Sequence, residues 1–249
     1  MKYYQKTMLG ITLCAVFLSC TQQPQLTEVK GGRIEIDASW NGAETEANAI
    51  FLEYKQAIDS IMTPVIGVST QNMTSGRPES LLSNLIADVL RDATVPHIGR
   101  AADVAVINLG GLRSTLAAGN ITFGNVFEIL PFENALCILK MKGKDIKELM
   151  QGIAVNGAGV SNVQMEVKDK EVISLKIGGK PINDNQLYEV ATLDYLAEGN
   201  DRMTAFLKAE KMNCYPEETI RNIFMQYIQN ETAAGRKITS KLDGRITLK

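Results

Sequence analysis

Histidine is almost missing from this chain, with one in 249 residues. A hydrolytic centre that holds two cations about 4 Å apart draws several ligands from His, Asp and Asn. His97, in Thr94-Val95-Pro96-His97-Ile98, cannot found such a centre alone and reads as a surface or supporting residue. Cysteine is scarce as well, and the four present show no zinc-ligand spacing. Cys137 lies in the strand-like run Ala135-Leu136-Cys137-Ile138-Leu139, and Cys214 in a loop before Tyr215-Pro216. A bridge between them is open to chemistry outside the cytoplasm, but two residues give no framework to read. The expectation is two unpaired, mostly buried thiols. No block of basic residues occurs and the net charge is −2, which argues against nucleic acid as a partner. Internal repeats are absent too.

The N-terminus reads as a signal peptide over residues 1–19. Lys2 and Lys6 precede the apolar run Met8 to Leu18, which falls far short of the roughly 20 residues a membrane-spanning helix needs. Leu18-Ser19-Cys20 closes it in the manner of a bacterial lipobox, so Cys20 is the expected lipid attachment site. Each buried methylene of such a lipid contributes about 0.8 kcal/mol to anchoring. Residues 20–32, rich in Gln, Thr and Gly, read as a flexible tether, and 33–249 as the folded domain. The expected location is the cell envelope, outside the cytoplasm, on the periplasmic side or the cell surface. Residues 1–19 carry two of the 26 basic residues and no acid, leaving 24 against 28 acids.

Hydrophobic spacing sets the element order. Ala47, Ile50, Phe51, Tyr54, Ala57, Ile58 and Ile61 mark one face of a helix ended by Pro64, and Val65 to Ser69 reads as a strand. Ser80 can cap a helix Leu81 to Asp92 with a core stripe of Leu82, Leu85, Ile86 and Val89. Ala102 to Ile107 is an apolar strand, Thr122 to Leu130 a short helix, Ala135 to Met141 a strand, and Lys144 to Ile153 a helix. Asn162 to Val167 and Val172 to Ile177 flank Lys168-Asp169-Lys170 as a hairpin. Tyr188 to Leu193 is another strand, and Glu217 to Gln229 a last amphipathic helix. Hairpins and crossovers together favour an α+β or mixed α/β class.

Chemistry concentrates after the Ala102–Ile107 strand, where Asn108-Leu109-Gly110-Gly111-Leu112-Arg113 brings bare backbone and a cationic fork together. Glycine admits a ligand close to the main chain, and a guanidinium grips a phosphate or carboxylate through two parallel hydrogen bonds. With Arg77 to Asp88, Ile129-Leu130-Pro131-Phe132-Glu133-Asn134 and Thr192 to Asp201, this stretch resembles the C-terminal, substrate-recognition domain of the 5'-nucleotidase / UDP-sugar hydrolase family. The resemblance covers roughly residues 45 to 248. It implies a four-layer α/β/β/α sandwich in which two aromatic rings, Phe132 and Tyr195, hold a nucleobase. It also implies that Asn108, Gly110, Gly111 and Arg113 meet the ribose and phosphate region and that Asp201 accepts from ribose hydroxyls. Arg77 would add a second cation, one residue away from the expected position, where Pro78 stands.

The chain departs from that pattern in places. Gly199-Asn200-Asp201-Arg202 replaces Gly-Gly-Asp-Gly, so Arg202 either reaches an extra phosphate or points to solvent. Ser83 stands where a glycine is usual and is expected to reshape the helix start near Arg77. Complete family members carry an N-terminal metallophosphoesterase domain, which is expected to be absent here. No catalytic residue, metal ligand or cofactor is therefore assigned to this chain, and divalent metals are expected only in a separately encoded catalytic partner. The resemblance implies the recognition half of a split phosphohydrolase. The alternative is a lipid-anchored protein that binds nucleosides or nucleotides without catalysis.

Overall fold

The computed structural model describes residues 26–33 and 45–249, with backbone only for 45–50. The expected signal peptide (residues 1–19) and the expected lipid site, Cys20, lie outside the described residues. Residues 26–33 run as exposed chain without regular structure.

Asn48–Lys249 forms one compact unit of mixed α/β architecture, the class expected. Its opening helix, α1 (Thr45–Met62), stops two residues before Pro64, whose ring disfavours helical geometry in the residue preceding it. The apolar face read from its spacing is exposed, with Phe51, Tyr54, Ile58 and Ile61 all open to solvent. Its period is helical as read, but no other element of the unit covers that face. Strand β1 (Val65–Ser69) pairs antiparallel with β3 (Gly119–Thr122). Helix α2 (Leu81–Asp92) begins after Ser80, whose hydroxyl accepts from the Ser83 amide, and Leu82, Leu85, Ile86 and Val89 are buried as read. Ser83 leaves that start intact. Its hydroxyl lies 2.6 Å from that of Ser80, and its Cβ is 2.9 Å from where a Cβ on Gly159 would stand.

The central sheet has five strands in the order β10 (Lys211–Thr219), β4 (Ala135–Lys142), β9 (Leu187–Leu193), β2 (Val104–Ile107), β5 (Gly159–Ser161). Its β2–β9 pair is parallel and its other pairs antiparallel. A second sheet orders β11 (Ile246–Leu248), β6 (Val163–Lys168), β7 (Glu171–Ile177), β8 (Lys180–Pro181). The β6–β7 hairpin turns through Asp169 (φ 50°) and Lys170 (φ 68°). Two left-handed residues in succession match the twist of the strands they join. Short helices α3 (Val95–Ile98) and α4 (Phe123–Ile129) lead into longer α5 (Gly143–Asn156). α6 (Asp194–Ala197) and α7 (Ile220–Ala233) follow. α2 packs on β2 and β5, and α7 on α2 and β1.

Two expectations at the C-terminal end need correction. Residues around Cys214 form β10 rather than a loop, and α7 starts at Ile220, not Glu217. Pro216 hid the strand, yet β10 is an edge strand whose register shifts between Tyr215 and Thr219, where proline loses no ladder bond. That register sets Cys214 opposite Cys137, and the two are disulfide-bonded, so the unpaired-thiol expectation is wrong.

Candidate functional site

One end of the central sheet gathers the residues singled out by sequence. β2 and β9 run parallel, so Asn108 and Tyr195, which follow them, leave at the same end. β4 is antiparallel to β9, with Leu136 opposite Leu193, so Phe132, which precedes β4, arrives there too. β10 is antiparallel to β4 and delivers Ile220 and Arg221 to the same place. Ligand crevices in sheets with parallel strands form beyond the strands' carboxyl ends for this reason.

Asn108 is the meeting point. Its Nδ2 donates to Asp201 Oδ2 at 2.7 Å, and the Tyr195 hydroxyl donates to Asp201 Oδ1 at 3.1 Å. The Asn200 amide donates to the Tyr195 carbonyl at 2.8 Å, closing the turn. Asp201 (φ 53°) and Arg202 (φ 63°) both adopt the left-handed region, which costs energy for residues with a Cβ. The hydrogen bond to Asp201, then the charge of that carboxylate, raises the Tyr195 phenol above its ordinary pKa. Asn108 Oδ1 is buried without a donor, and a Cβ on Gly111 would stand 2.8 Å from it. Gly111 therefore makes room for the Asn108 carboxamide. Gly110 is exposed, and its carbonyl accepts from Arg113 Nη1 at 3.3 Å.

Two cavities share Asn108 as a wall. The first, beside Phe132, Gly111, Asn134, Leu193 and Ile220, is narrow at about 20 Å³. That is room for about one water, and Phe132 on its wall is 48% exposed. The second, about 250 Å³, is lined by Arg77, Gly110, Asn156, Gly157, Asp201 and Arg202. Tyr195, 40% exposed, joins the group through Asp201 and lies outside the lining of both. Arg77 lies across Gly157 (φ 76°), where a Cβ would come within 2.8 Å of the arginine Cδ.

Charge follows the same geography. Arg91, Arg100, Arg221, Arg236 and Arg245 each pair with a carboxylate, whereas Arg77, Arg113 and Arg202 pair with none among the described residues. These three uncommitted guanidinia belong to the stretches that meet at Asn108, while Arg33, also without a carboxylate partner among the described residues, lies in the exposed N-terminal chain. His97 is engaged elsewhere: its ring stacks on Tyr215 at 3.8 Å, and Nε2 lies 3.0 Å from Glu218. Among the described residues no three His, Cys, Asp or Glu side chains converge as a metal site would require.

Sequence reasoning missed Asn156 and Gly157, which complete the second cavity from the end of α5, and Arg221 on α7. Gly157 carried a signal in its position just past a helix. Arg221 carried none, because only tertiary packing buries it beside the Phe132 turn, and that burial lowers its pKa below the ordinary arginine value.

Comparison with known proteins places this arrangement. The chain is 27% identical over 228 residues to the cell wall protein Lmo0130 of Listeria monocytogenes, covering 80% of this chain and 29% of that protein. It is 33% identical over 150 residues to protein UshA of Yersinia enterocolitica, covering 53% of this chain and 27% of UshA. The chain thus spans less than a third of the length of these relatives. A solved 5'-nucleotidase precursor from Thermus thermophilus superposes with a TM-score of 0.71 at 25% identity, over 82% of this chain and 43% of that one. The profile described as "5'-nucleotidase, C-terminal domain" matches residues 65–208, and the chain belongs to that family.

Proposed function

We propose that this protein is the nucleotide-recognition half of a phosphohydrolase, orienting a nucleoside phosphate for a separately encoded metallophosphoesterase. The observation that carries the reading is the meeting of uncommitted Arg77, Arg113 and Arg202 with the exposed ring of Phe132 around Asn108. A base stacks on the outer face of Phe132, and Tyr195 supplies a second aromatic surface. Asp201, an acceptor-only carboxylate, takes ribose hydroxyls, and the arginines take the phosphate. Such positioning lowers a barrier without this chain donating a nucleophile. Divalent metal belongs to the partner in this reading. The protein is held at the cell envelope, outside the cytoplasm, by lipid on Cys20; one relative's designation as a cell wall protein supports the extracytoplasmic part.

Calorimetry with adenosine, AMP and UDP-glucose tests the binding step. Stacking contributes about 1–3 kcal/mol per base, so Phe132→Ala should weaken each ligand about five- to hundredfold. Equal affinity in the variant refutes the contact. The isolated chain should leave AMP intact and raise turnover only when its partner and a divalent metal are added. Tight binding with no gain in the partner's rate would identify a binding protein instead.

A further inference from the structure

We infer that Arg221 is a positioning residue that holds the Leu130–Glu133 turn in the shape that presents Phe132 to a ligand. The inference rests on the reading of Phe132 as a ligand contact. Arg221 stands on the first turn of α7 and is only 6% exposed. Its Nη1 donates to the carbonyls of Leu130 (3.3 Å) and Pro131 (3.2 Å), and its Nη2 to the carboxylate of Glu133. The guanidinium carbon lies 4.2 Å from the centre of the Phe127 ring. The three acceptors flank Phe132 on both sides in sequence. The amides of Phe132 and Glu133 bond to no other backbone group, and Pro131 has no N–H, so this turn lacks a ladder of its own. The neighbouring Ile220 amide adds one grip, on the Asn134 carbonyl at 2.9 Å.

Arg221 suits this task and suits simple stabilisation poorly. Its Nε is buried with no acceptor. An apolar side chain of similar volume would fill the space without that penalty. A planar fork reaches three acceptors at fixed angles, which neither an apolar chain nor the single ammonium of lysine can copy. The contact therefore secures a shape more than it secures the fold.

Arg221→Met in the full chain separates the two roles, read by AMP affinity, melting temperature, backbone order parameters and hydrogen exchange. The expected result is an affinity loss of about tenfold that vanishes in the Phe132→Ala background, as coupled sites require. Order parameters at the Phe132 and Glu133 amides should fall from those of a rigid backbone, about 0.85, toward those of a flexible loop, below about 0.6, while α7 keeps its exchange protection, and Arg221→Lys should not restore either. Glu133→Ala, at an exposed carboxylate, removes one acceptor without burying anything and should shift both readouts in the same direction. Equal affinity losses in both backgrounds, or unchanged order parameters at 132 and 133, overturn the inference. If Phe132→Ala alone leaves affinity unaltered, the reading of Phe132 fails by itself, and the order parameters still decide what Arg221 does.

Discussion

Arg202 occupies a backbone conformation that glycine adopts freely, and it lines the cavity beside Arg77. A strained residue that also carries an uncommitted charge suits selection of a ligand more than support of a turn. Arg202→Gln should therefore lower affinity for ADP or UDP-glucose about tenfold, since a charge-assisted bond contributes roughly 1.5–3 kcal/mol. Adenosine, with no phosphate, should bind unchanged. Parallel losses for adenosine and ADP would show that the substitution disturbs the turn and not a phosphate contact. Arg202→Gly should relieve the strain and still lose the phosphate preference, which separates backbone from charge.

At the scale of elements, β10 depends on its cross-link. It lies at the sheet edge with most of its residues exposed, and Cys214 on it is tied to buried Cys137 across 77 residues. In the chain-entropy description, closing a loop of that size stabilises by about 4 kcal/mol. Cys214→Ser should lower the unfolding free energy by about 3–4 kcal/mol on that account. A reducing agent should do the same to the wild type and nothing more to the variant. Denaturant titration in both redox states checks this, and equal midpoints for oxidised and reduced wild type would refute it. The consequence reaches the site, because β10 ends at Thr219, directly before the Ile220 and Arg221 that back the Phe132 turn.

Across the whole molecule, Arg245 ties the C-terminal segment to the body. Its guanidinium is buried and bonds Asp88 on α2, Asp243, and the carbonyl of Val160 on β5. Burial opposes that charge, but Asp243 and Asp88 outweigh it and hold the arginine above its ordinary pKa. In return the hydrogen bond from Arg245 holds the Asp243 carboxyl below the usual carboxylate range. A depressed folded pKa adds stability above the unfolded value, about 3.9, and loses it as pH falls through the folded one. Asp243→Asn should thus melt lower than wild type at pH 7, and the gap should narrow under acid, below about pH 4. Calorimetric melts at both pH values decide it, and parallel curves would remove Asp243 from the account.

The sequence by itself determined the periods and the stops. The α2 stripe, the β6–β7 hairpin and the apolar β2 strand were legible because side-chain spacing and turn chemistry act within a few residues. It also named Asn108, Arg113, Phe132, Tyr195 and Asp201 as candidates from their motifs, and strand order brings these stretches to one end of the central sheet. Only the tertiary structure decided what each face meets. It left Phe51, Tyr54, Ile58 and Ile61 of α1 in solvent, although their spacing is that of a core stripe. It set Cys137 opposite Cys214, and it brought Arg221 to the Phe132 turn from 88 residues further along the chain. A local pattern says which side of an element is apolar, whereas strand register and sheet order, set by contacts distant in sequence, say what covers it.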